Sequence, residues 1–363
     1  MYFIYDDFFL KHENGPSHPE NPDRLVHIMG ALKRWQYRGC IAIVPPVEAD
    51  KEQIAMVHTE EYISMIREVS HKGGLSFLDM DTGVNKYTYK SALLGAGGCF
   101  KGLDLIFGPK PRFNKFFLAA RPPGHHAFPS SGSGFCIFNS ISLGAKYAQK
   151  KYGIRRIAII DFDAHHGNGT QDIFYGDDSV LYISFHQYPH YPGTGGLEET
   201  GRDKGMGFNL NFPFMPGTRE PDYIAAIIDI VVPVVERFAP ELILVSAGYD
   251  SHFSDHMSSL GLTAISYRKI MIALSALGKW FCQGRIGMVL EGGYDFVSTS
   301  ESVLETLYGC MDISELGSIK DRQGLEDYLI SEGSYRSEKV RNWQTLEKIK
   351  DLSGLGEQYN GTL

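Results

Sequence analysis

Short, unbroken apolar runs recur along this chain and limit its possible fold more than any other feature. They are four to six residues long, rich in Val, Ile, Leu and Phe, and they alternate with longer segments of helical spacing. Most are apolar at successive positions, a pattern typical of parallel strands that are buried on both faces. The runs cover residues 2–5, 116–120, 157–162, 180–185, 208–211, 242–246 and 287–290. The alternation predicts an α/β protein with a mostly parallel, doubly wound sheet.

Helices are predicted between these strands from capping residues and apolar spacing. Asn21 and Pro22 would start the first helix, which runs to about Arg38, and Thr59 would cap the second. The other predicted helices cover residues 87–106, 139–151, 221–238 and 267–282. Because no repeat or low-complexity linker divides the chain, we expect a single domain over residues 1–310. Residues 311–363 are more charged and are expected to form a helical extension packed on that domain.

Composition narrows the classes of function. The 363 residues include 35 Lys and Arg against 43 Asp and Glu, which gives a net charge of −8. This acidic balance argues against direct nucleic-acid binding and suits a cationic substrate. Five cysteines without a Cys-x-x-Cys spacing indicate reduced thiols. No apolar segment is long enough for a bilayer, so we expect a cytoplasmic protein without membrane contact.

Polar clusters flanked by glycine follow four of the predicted strands. They are Arg121-Pro122-Pro123-Gly124-His125-His126, Asp161-Phe162-Asp163-Ala164-His165-His166-Gly167-Asn168, Ala247-Gly248-Tyr249-Asp250 and Glu291-Gly292-Gly293-Tyr294. In open parallel sheets, ligand sites form at the carboxyl ends of the strands. One such cluster alone has an ordinary explanation as a turn or a cap. Four of them at one edge of a sheet predict a reaction site.

Three of these residues form a candidate metal site. Asp163 and His165 are two residues apart, so they lie on one side of an extended segment. With Asp250 they supply two carboxylates and one imidazole. Three protein ligands leave a position open for water, as in catalytic metal sites. A divalent ion held there, Zn²⁺ or Fe²⁺, would lower the pKa of that water and polarise a carbonyl oxygen.

Hydrolysis at such a site also needs groups that accept and donate protons near neutral pH. The adjacent imidazoles of His125 and His126 meet this need. Asp161 and Asn168 are available to fix their tautomers. Tyr294 follows two glycines, which permit a tight turn, and its phenol is a good neutral donor to a developing oxyanion.

Seven motifs in a fixed order give the chain a family resemblance. Besides the four strand-end clusters, they are His18-Pro19-Glu20-Asn21-Pro22-Asp23-Arg24, Gly134-Phe135-Cys136-Ile137-Phe138-Asn139 and Pro192-Gly193-Thr194-Gly195. The chain resembles the histone deacetylase family, which includes bacterial acetylpolyamine amidohydrolases and acetoin-utilisation proteins, over roughly residues 1–310. The resemblance implies the fold shared with arginases, an eight-stranded parallel sheet between helices.

The resemblance also implies a role for each residue of the predicted site. Zn²⁺ would be bound by Asp163, His165 and Asp250. His126 would be the general base and then the general acid, while His125, paired with Asp161, would act electrostatically. Tyr294 would donate a hydrogen bond to the substrate carbonyl and then to the oxyanion.

A narrow apolar channel to the metal is implied as well, suited to an alkyl-ammonium chain. Its residues would be Gly134, Phe135, Tyr191, Met257 and Asp81. Phe135 and Tyr191 would form the walls, and Asp81 would bind the substrate backbone or an amine. Arg24 would lie near an internal channel that releases acetate.

Structural K⁺ is implied at two places by the resemblance alone. One ion would be held close to the zinc by Asp161, Asp163, His165, Ser184 and Phe185. The second would be held by backbone carbonyls around Phe174, Asp177 and Val180.

Departures from the family pattern narrow the subclass and the substrate. Glu291 before Gly-Gly-Tyr, together with a neutral Asn168, resembles class II and polyamine-type members, and a bacterial source is expected. Met257 occupies the position where polyamine-selective members carry a glutamate, and methionine is apolar and adaptable. Acyl-lysine in a protein is therefore the favoured substrate, and an acetylated polyamine is the alternative.

Two other hypotheses remain open on the sequence. A binuclear manganese ureohydrolase would share the sheet, although Tyr294 and the paired histidines argue against it. A non-catalytic acyl-lysine binder would have lost a metal ligand or the tyrosine, and none is lost here. The sequence is compatible with an oligomer, for which the rim loop 70–82 is a candidate contact, and it gives His190 no role.

Overall fold

A large parallel sheet forms the centre of the computed structural model, which describes residues 1–311, 319–331 and 340–354. The strands in these ranges are β1 (Tyr2–Ile4), β2 (Ala42–Val44), β3 (Leu75–Phe77), β4 (Gly83–Asn85), β5 (Lys115–Leu118), β6 (Ile157–Asp161), β7 (Val180–Gln187), β8 (Asn209–Phe214), β9 (Leu242–Ala247) and β10 (Ile286–Leu290). Eight of them form one sheet in the order β2-β1-β5-β10-β9-β6-β7-β8. All neighbouring pairs in it are parallel, whereas β3 and β4 form a separate antiparallel hairpin. The predicted fold class is confirmed.

Helices flank this sheet. They are α1 (Asp23–Arg34), α2 (Lys51–Ile54), α3 (Glu60–Lys72), α4 (Thr88–Ile106), α5 (Ser140–Tyr152), α6 (Asn168–Phe174), α7 (Glu220–Ala226), α8 (Val232–Phe238), α9 (Ala264–Phe281), α10 (Phe296–Gly309), α11 (Arg322–Ser331) and α12 (Trp343–Leu352). Short 3-10 turns cover Asp7–Lys11, Arg38–Cys40 and Asp203–Gly205. None of the helices in the described ranges combines the length and the apolar character needed to cross a bilayer.

The central strands explain the continuous apolar runs. Every residue of β5, β6, β9 and β10 is buried, as expected for parallel strands covered on both faces. By contrast, β2 at the edge has three residues and is only partly buried. It was not predicted, because so short and exposed a segment leaves no distinctive apolar pattern.

The starts of two helices were predicted correctly because a side chain caps each of them. The hydroxyl of Thr59 accepts a hydrogen bond from the backbone N–H of Tyr62 at 3.3 Å, and Oδ1 of Asn139 accepts one from Ser142 at 3.0 Å. The first predicted helix was too long, however. It ends at Arg34 because the next residue, Trp35, adopts an extended backbone conformation with ψ of 133°.

The predicted helix over residues 221–238 is interrupted by a π-helical segment, Ile227–Val231. Pro233 lies in the first turn of the helix that follows. Proline has no N–H to donate and its ring clashes with the carbonyl four residues earlier, and a wider π turn accommodates both effects. The helix therefore lies where it was predicted, but its middle segment is π-helical and not α-helical.

The described helices of the C-terminal extension lie against the main sheet and its helices. Leu346 and Ile349 of α12 are buried, and Nδ2 of Asn342 donates to Oδ1 of Asp222 at 2.8 Å. Residues 312–318, 332–339 and 355–363 of the predicted extension lie outside the described residues. The boundary at residue 310 stays a prediction.

Candidate active site

Four neighbouring strands bring the polar clusters together. β5, β10, β9 and β6 are consecutive in the sheet, and Asp161 at the end of β6 is level with Ser246 near the end of β9. Leu290 at the end of β10 is likewise level with Ala247. Because all four strands run in the same direction, the segments that follow them meet at one edge of the sheet, as the sequence predicted.

The candidate metal ligands converge at this edge. Ligand atoms of Asp163, His165 and Asp250 all lie within 4.8 Å of one another, and the three residues are buried. Nδ1 of His165 is 2.9 Å from Oδ2 of Asp250 and 3.2 Å from Oδ1 of Asp163. Two carboxylates and one imidazole at such separations form a donor set that suits Zn²⁺ or another divalent transition metal.

Backbone groups fix the two carboxylates. Oδ1 of Asp250 accepts a hydrogen bond from the N–H of Ala164 at 2.8 Å, and Oδ2 of Asp163 accepts one from Gly292 at 2.7 Å. A Cβ atom added to Gly292 would clash with both carboxylates. Glycine at this position therefore allows the turn before Tyr294 to approach the ligand set closely.

The charges of this cluster support a bound cation. Burial and the charge of Asp163 raise the pKa of Asp250. Burial alone would lower the pKa of His165, but Asp250 and Asp163 raise it to about 10. Two buried carboxylates with one imidazole hold excess negative charge, which is costly unless it is neutralised. A divalent cation would neutralise it, so these residues fit a metal.

The tautomer of His126 follows from its partner. Nδ1 of His126 is 2.8 Å from Oδ1 of Asn168, and an amide oxygen can only accept, so Nδ1 carries the proton. Burial and the charges of His125 and His165 hold the pKa of His126 well below its usual range. Its ring is therefore neutral, with a lone pair on Nε2.

His125 has the opposite electrostatic character. Its Nδ1 is 3.0 Å from Oδ2 of Asp161, which also accepts a hydrogen bond from the hydroxyl of Tyr182 at 3.1 Å. Burial would lower the pKa of His125, but Asp161, Asp163 and Glu291 together raise it to about 10. One histidine of the pair is thus a neutral base and the other a cation, as expected when environments push two pKa values apart.

Tyr294 retains its phenol proton. Burial and the nearby charge of Asp250 raise its pKa well above the usual value. The guanidinium of Arg24 lies over its ring at 5.0 Å, and the ring of Phe135 packs edge-on at 5.9 Å. Its hydroxyl forms no hydrogen bond with any residue in the described ranges, so it is available to a ligand.

A buried arginine, Arg24, holds the turn that carries this tyrosine, and Glu20 links it to a second buried arginine. Arg24 donates from Nε to the carbonyl of Gly293 at 2.6 Å and from Nη1 to Glu20 at 3.1 Å. Glu20 also accepts from Arg121, including a 2.8 Å bond to Oε2, and all three side chains are fully buried. Arg24 therefore positions Tyr294, and its predicted place on an acetate channel stays a prediction.

Comparison with known proteins identifies the family. A family model described as the histone deacetylase domain matches residues 18–310. The chain belongs to the histone deacetylase family. A probable deacetylase of Archaeoglobus fulgidus is 43% identical over 293 residues, which are 80% of this chain and 80% of that protein.

Two further relatives of this histone deacetylase family member are informative. The protein named polyamine deacetylase HDAC10 of Danio rerio is 34% identical over 321 residues, which are 83% of this chain and 46% of that protein. A crystal structure of the HDA15 HD domain matches with a TM-score of 0.86 and 31% identity, over 100% of this chain and 99% of that one.

The predicted channel residues of this family member lie beside the histidine pair. Gly134 has a φ of 54°, and a Cβ there would approach Cδ2 of His126 to 2.5 Å and the Tyr191 hydroxyl to 3.0 Å. Only glycine lets the backbone pass so close. The ring of Tyr191 is 5.2 Å from that of His126. Gly134 and Tyr191 therefore lie beside the candidate base, and Phe135 lies against the candidate donor. The channel itself stays a prediction.

His190 and Asp79 at the rim make contacts that were not predicted, while the role predicted for Asp81 stays a prediction. His190, which had no predicted role, stacks on His165 at 5.0 Å and donates from Nε2 to the carbonyl of Met257 at 2.9 Å. Asp81 lies at the exposed turn of the β3–β4 hairpin. Its neighbour Asp79 is the residue that accepts a hydrogen bond from Gly134, at 3.3 Å.

The residues predicted to hold K⁺ lie on neighbouring elements. Ser184 is level with Asp161 between β6 and β7, and Phe185 follows it in β7. Phe174 ends α6 and Val180 begins β7. Asp177, between them, accepts a hydrogen bond from Nζ of Lys146 at 2.7 Å. Both K⁺ sites stay predictions.

Two carboxylates bind backbone N–H groups of the site and were assigned no catalytic or binding role from the sequence. Oε2 of Glu291 accepts hydrogen bonds from the N–H groups of Gly124 at 2.8 Å and His125 at 3.1 Å. Oδ2 of Asp255 accepts from the N–H of Tyr294 at 2.6 Å. Glu291 belongs to a predicted strand-end cluster, whereas Asp255 stands in no motif and was missed.

Proposed function

We propose that this chain is a zinc-dependent amidohydrolase that removes an acetyl group from the side-chain nitrogen of acyl-lysine in proteins. The observation that supports this most directly is the meeting of three different groups at one sheet edge. A buried pair of carboxylates with an imidazole lies next to a neutral histidine and an unengaged phenol. Each group corresponds to one requirement of amide hydrolysis, namely a Lewis acid, a base and an oxyanion donor.

Asp163, His165 and Asp250 would hold the ion. When bound, Zn²⁺ polarises the amide carbonyl and makes the attacking water more acidic. The fixed carboxylates and the stacked ring of His190 keep the three ligands in place, so little reorganisation is needed when substrate binds.

His126 performs the proton transfers. Its free Nε2 accepts a proton from the attacking water, while Nδ1 stays bonded to Asn168 and so keeps the tautomer. The same Nε2 then donates that proton to the amine as the C–N bond breaks, giving acetate and the free amine. His125, held as a cation by Asp161, stabilises the negative charge that develops.

Tyr294 acts on the carbonyl oxygen. Because its pKa is raised by burial, the phenol stays protonated and donates a hydrogen bond that strengthens as the oxygen becomes an oxyanion. Arg24 and Asp255 fix the backbone around it. The enclosing residues Phe135 and Tyr191 would bury the methylenes of the substrate side chain.

The rim supports acyl-lysine over a polyamine. Met257 at the rim is partly buried and carries no charge to bind a second ammonium. The alternative, an acetylated polyamine, is favoured by the relative named a polyamine deacetylase and by the exposed carboxylates of Asp79 and Asp81. The K⁺ sites and the acetate route beside Arg24 are part of the same proposal and rest on the family resemblance.

The deciding experiment compares kcat/KM on Zn²⁺-loaded enzyme for an acetyl-lysine peptide and an N-acetylated polyamine. A preference of about a hundredfold corresponds to roughly 2.7 kcal/mol of differential transition-state binding. Preference for the peptide supports the proposal, and preference for the polyamine replaces its substrate. Zinc-loaded enzyme that cleaves neither, nor a longer acyl-lysine, contradicts the proposed reaction.

A further inference from the structure

We infer that a groove beside the candidate active site docks the basic and apolar polypeptide segment that flanks the acyl-lysine. This inference rests on the proposed function and extends it, since it assigns the enzyme an extended protein substrate. The groove has a volume of about 690 Å³. We call it the loop–helix groove, because it lies between the loop of His252, Phe253 and Ser254 and the amino-terminal part of α10.

Three large apolar side chains are exposed in this one groove. Phe253 is 66% exposed, Val297 59% and Ile265 50%, and all three line the cavity. A single exposed apolar residue is common on a protein surface, but a group of them around one concavity is typical of an interaction site. Phe253 is also held in place, because its N–H donates to the carbonyl of Leu262 at 2.9 Å.

The negative charge of the groove indicates that its partner carries positive charge. Its lining includes the carboxylates of Asp295, Glu301 and Glu305, and no lysine or arginine among the described residues that form it. Glu305 forms an ion pair with Arg268, which lies outside the lining. Asp295 caps α10, because its Oδ1 accepts a hydrogen bond from the N–H of Ser298 at 2.8 Å. An apolar surface with negative charge is complementary to a segment that carries both lysine or arginine and apolar side chains.

Asp255 connects this groove to the substrate channel. Its Oδ1 accepts from the N–H of Met257 at the rim, at 2.9 Å. Its Oδ2 accepts from Tyr294 at 2.6 Å and from Asp295 at 3.0 Å. One carboxylate therefore holds the channel rim, the candidate oxyanion donor and a wall of the groove in a fixed relation.

The reach required of the substrate is short. Phe253 and Met257 are four residues apart, and an extended chain spans at most about 3.6 Å per residue, so their Cα atoms are no more than about 14 Å apart. A substrate with its acyl-lysine in the channel would thus reach the groove with about four or five flanking residues. An acetylated polyamine has no such flanking segment.

The test compares two substrates that share the reacting group. One is a twelve-residue peptide with a central acetyl-lysine flanked by lysine and leucine, and the other is acetyl-lysine capped at both ends. The variant Phe253→Ser/Val297→Ser removes the apolar surface, and Glu301→Gln removes one charge. Met206→Ser/Val26→Ser is the matched control, because these side chains are 58% and 48% exposed elsewhere.

We expect Phe253→Ser/Val297→Ser to lower kcat/KM for the long peptide at least tenfold, mainly through KM, with less than a twofold change for capped acetyl-lysine. Glu301→Gln should give a smaller loss that disappears at high salt. The control variant should leave kcat/KM unchanged for both substrates. Equal losses on both substrates, or none on the long peptide, would overturn the inference.

A groove that serves another purpose gives a different result. If light scattering shows that the groove variant alone dissociates a dimer while the long peptide is cleaved as before, the groove binds a second copy of the chain and the inference is wrong. Wild-type enzyme that cleaves capped acetyl-lysine but gains nothing from the long peptide also contradicts it while leaving the proposed function intact. Failure to cleave either substrate would instead refute the proposed function.

Discussion

Oδ1 of Asn168 accepts the Nδ1 proton of His126 across 2.8 Å, so the candidate base is oriented by a neutral amide. A carboxylate in that position would stabilise the protonated ring and raise the pKa of His126. In Asn168→Asp, more of the base is protonated at a given pH. We expect the acid limb of the pH profile of kcat/KM to move upward by about one unit. If the profile matched that of the wild type, protonation of His126 would not cause the acid limb. The control is Asn114→Asp, the same substitution at a surface position.

Tyr294→Phe removes one hydroxyl from a ring that keeps its contacts with Arg24 and Phe135. We expect kcat to fall by about 10²–10³-fold with little change in KM, as for loss of one oxyanion-hole donor. The melting temperature should be unchanged, because the hydroxyl has no partner among the described residues. Steady-state kinetics with calorimetry separates the two effects, and unchanged turnover would eliminate the oxyanion role.

Metal binding should stabilise the folded protein as well as activate the enzyme. A ligand present at about a thousand times its Kd adds about 4 kcal/mol to the free energy of unfolding. Zn²⁺ added to chelator-treated protein should therefore raise the melting temperature by several degrees and restore activity. Asp250→Asn should lose most of both responses, because one ligand charge is gone. Equal stabilisation of both proteins would place the metal elsewhere.

Glu20 should contribute stability that is lost in acid. Burial would raise its pKa, but Arg121 and Arg24 lower it to about 2. Since its pKa is lower in the folded than in the unfolded chain, the contribution is fully present above the ordinary pKa of about 4.5 and is lost as the pH falls toward 2. The difference corresponds to about 3 kcal/mol. Glu20→Gln should be less stable at neutral pH and show a flatter acid dependence, measured by urea unfolding between pH 7 and 3. An unchanged slope would show that another group controls this range.

Met257→Glu should shift the substrate preference. A carboxylate at the partly exposed rim would attract the second ammonium of an acetylated polyamine with about 1 kcal/mol. We expect about a fivefold gain in kcat/KM for the polyamine and no gain for an acetyl-lysine peptide. Met257→Gln, which is similar in size but neutral, is the control. If Met257→Gln raised kcat/KM for the polyamine as much as Met257→Glu, the change would result from side-chain shape and not from charge.

The active-site edge could be located from the sequence because the metal ligands, the histidine pair and Tyr294 lie in segments that follow buried strands. Asp163, His165 and Asp250 needed only the rule that ligands gather at carboxyl strand ends, and the family motifs then supplied the roles. Asp255 was beyond this reasoning, because it acts through hydrogen bonds to backbone N–H groups of Tyr294 and Asp295 from a loop with no motif.

Other differences have local physical causes. In the rim loop, Asp79 accepts a hydrogen bond from the N–H of Gly134, a contact that no sequence pattern indicates, and the role predicted for Asp81 stays a prediction. Strand β2 is recognised only by its pairing with β1, which is a property of the assembled sheet. Such choices are made by tertiary contacts and leave no periodic trace in the sequence.

The bond from Arg24 to the carbonyl of Gly293 joins positions that are 269 residues apart in the chain. During synthesis, the first helix therefore leaves the ribosome long before the segment that its guanidinium will hold. Until Gly293 emerges, Arg24 lacks that native acceptor, and the tyrosine turn does not yet exist. The chain therefore becomes competent for its chemistry only when β10, the last strand along the described part of the chain, is in place, and no truncated product ending before residue 293 can act as a partial enzyme.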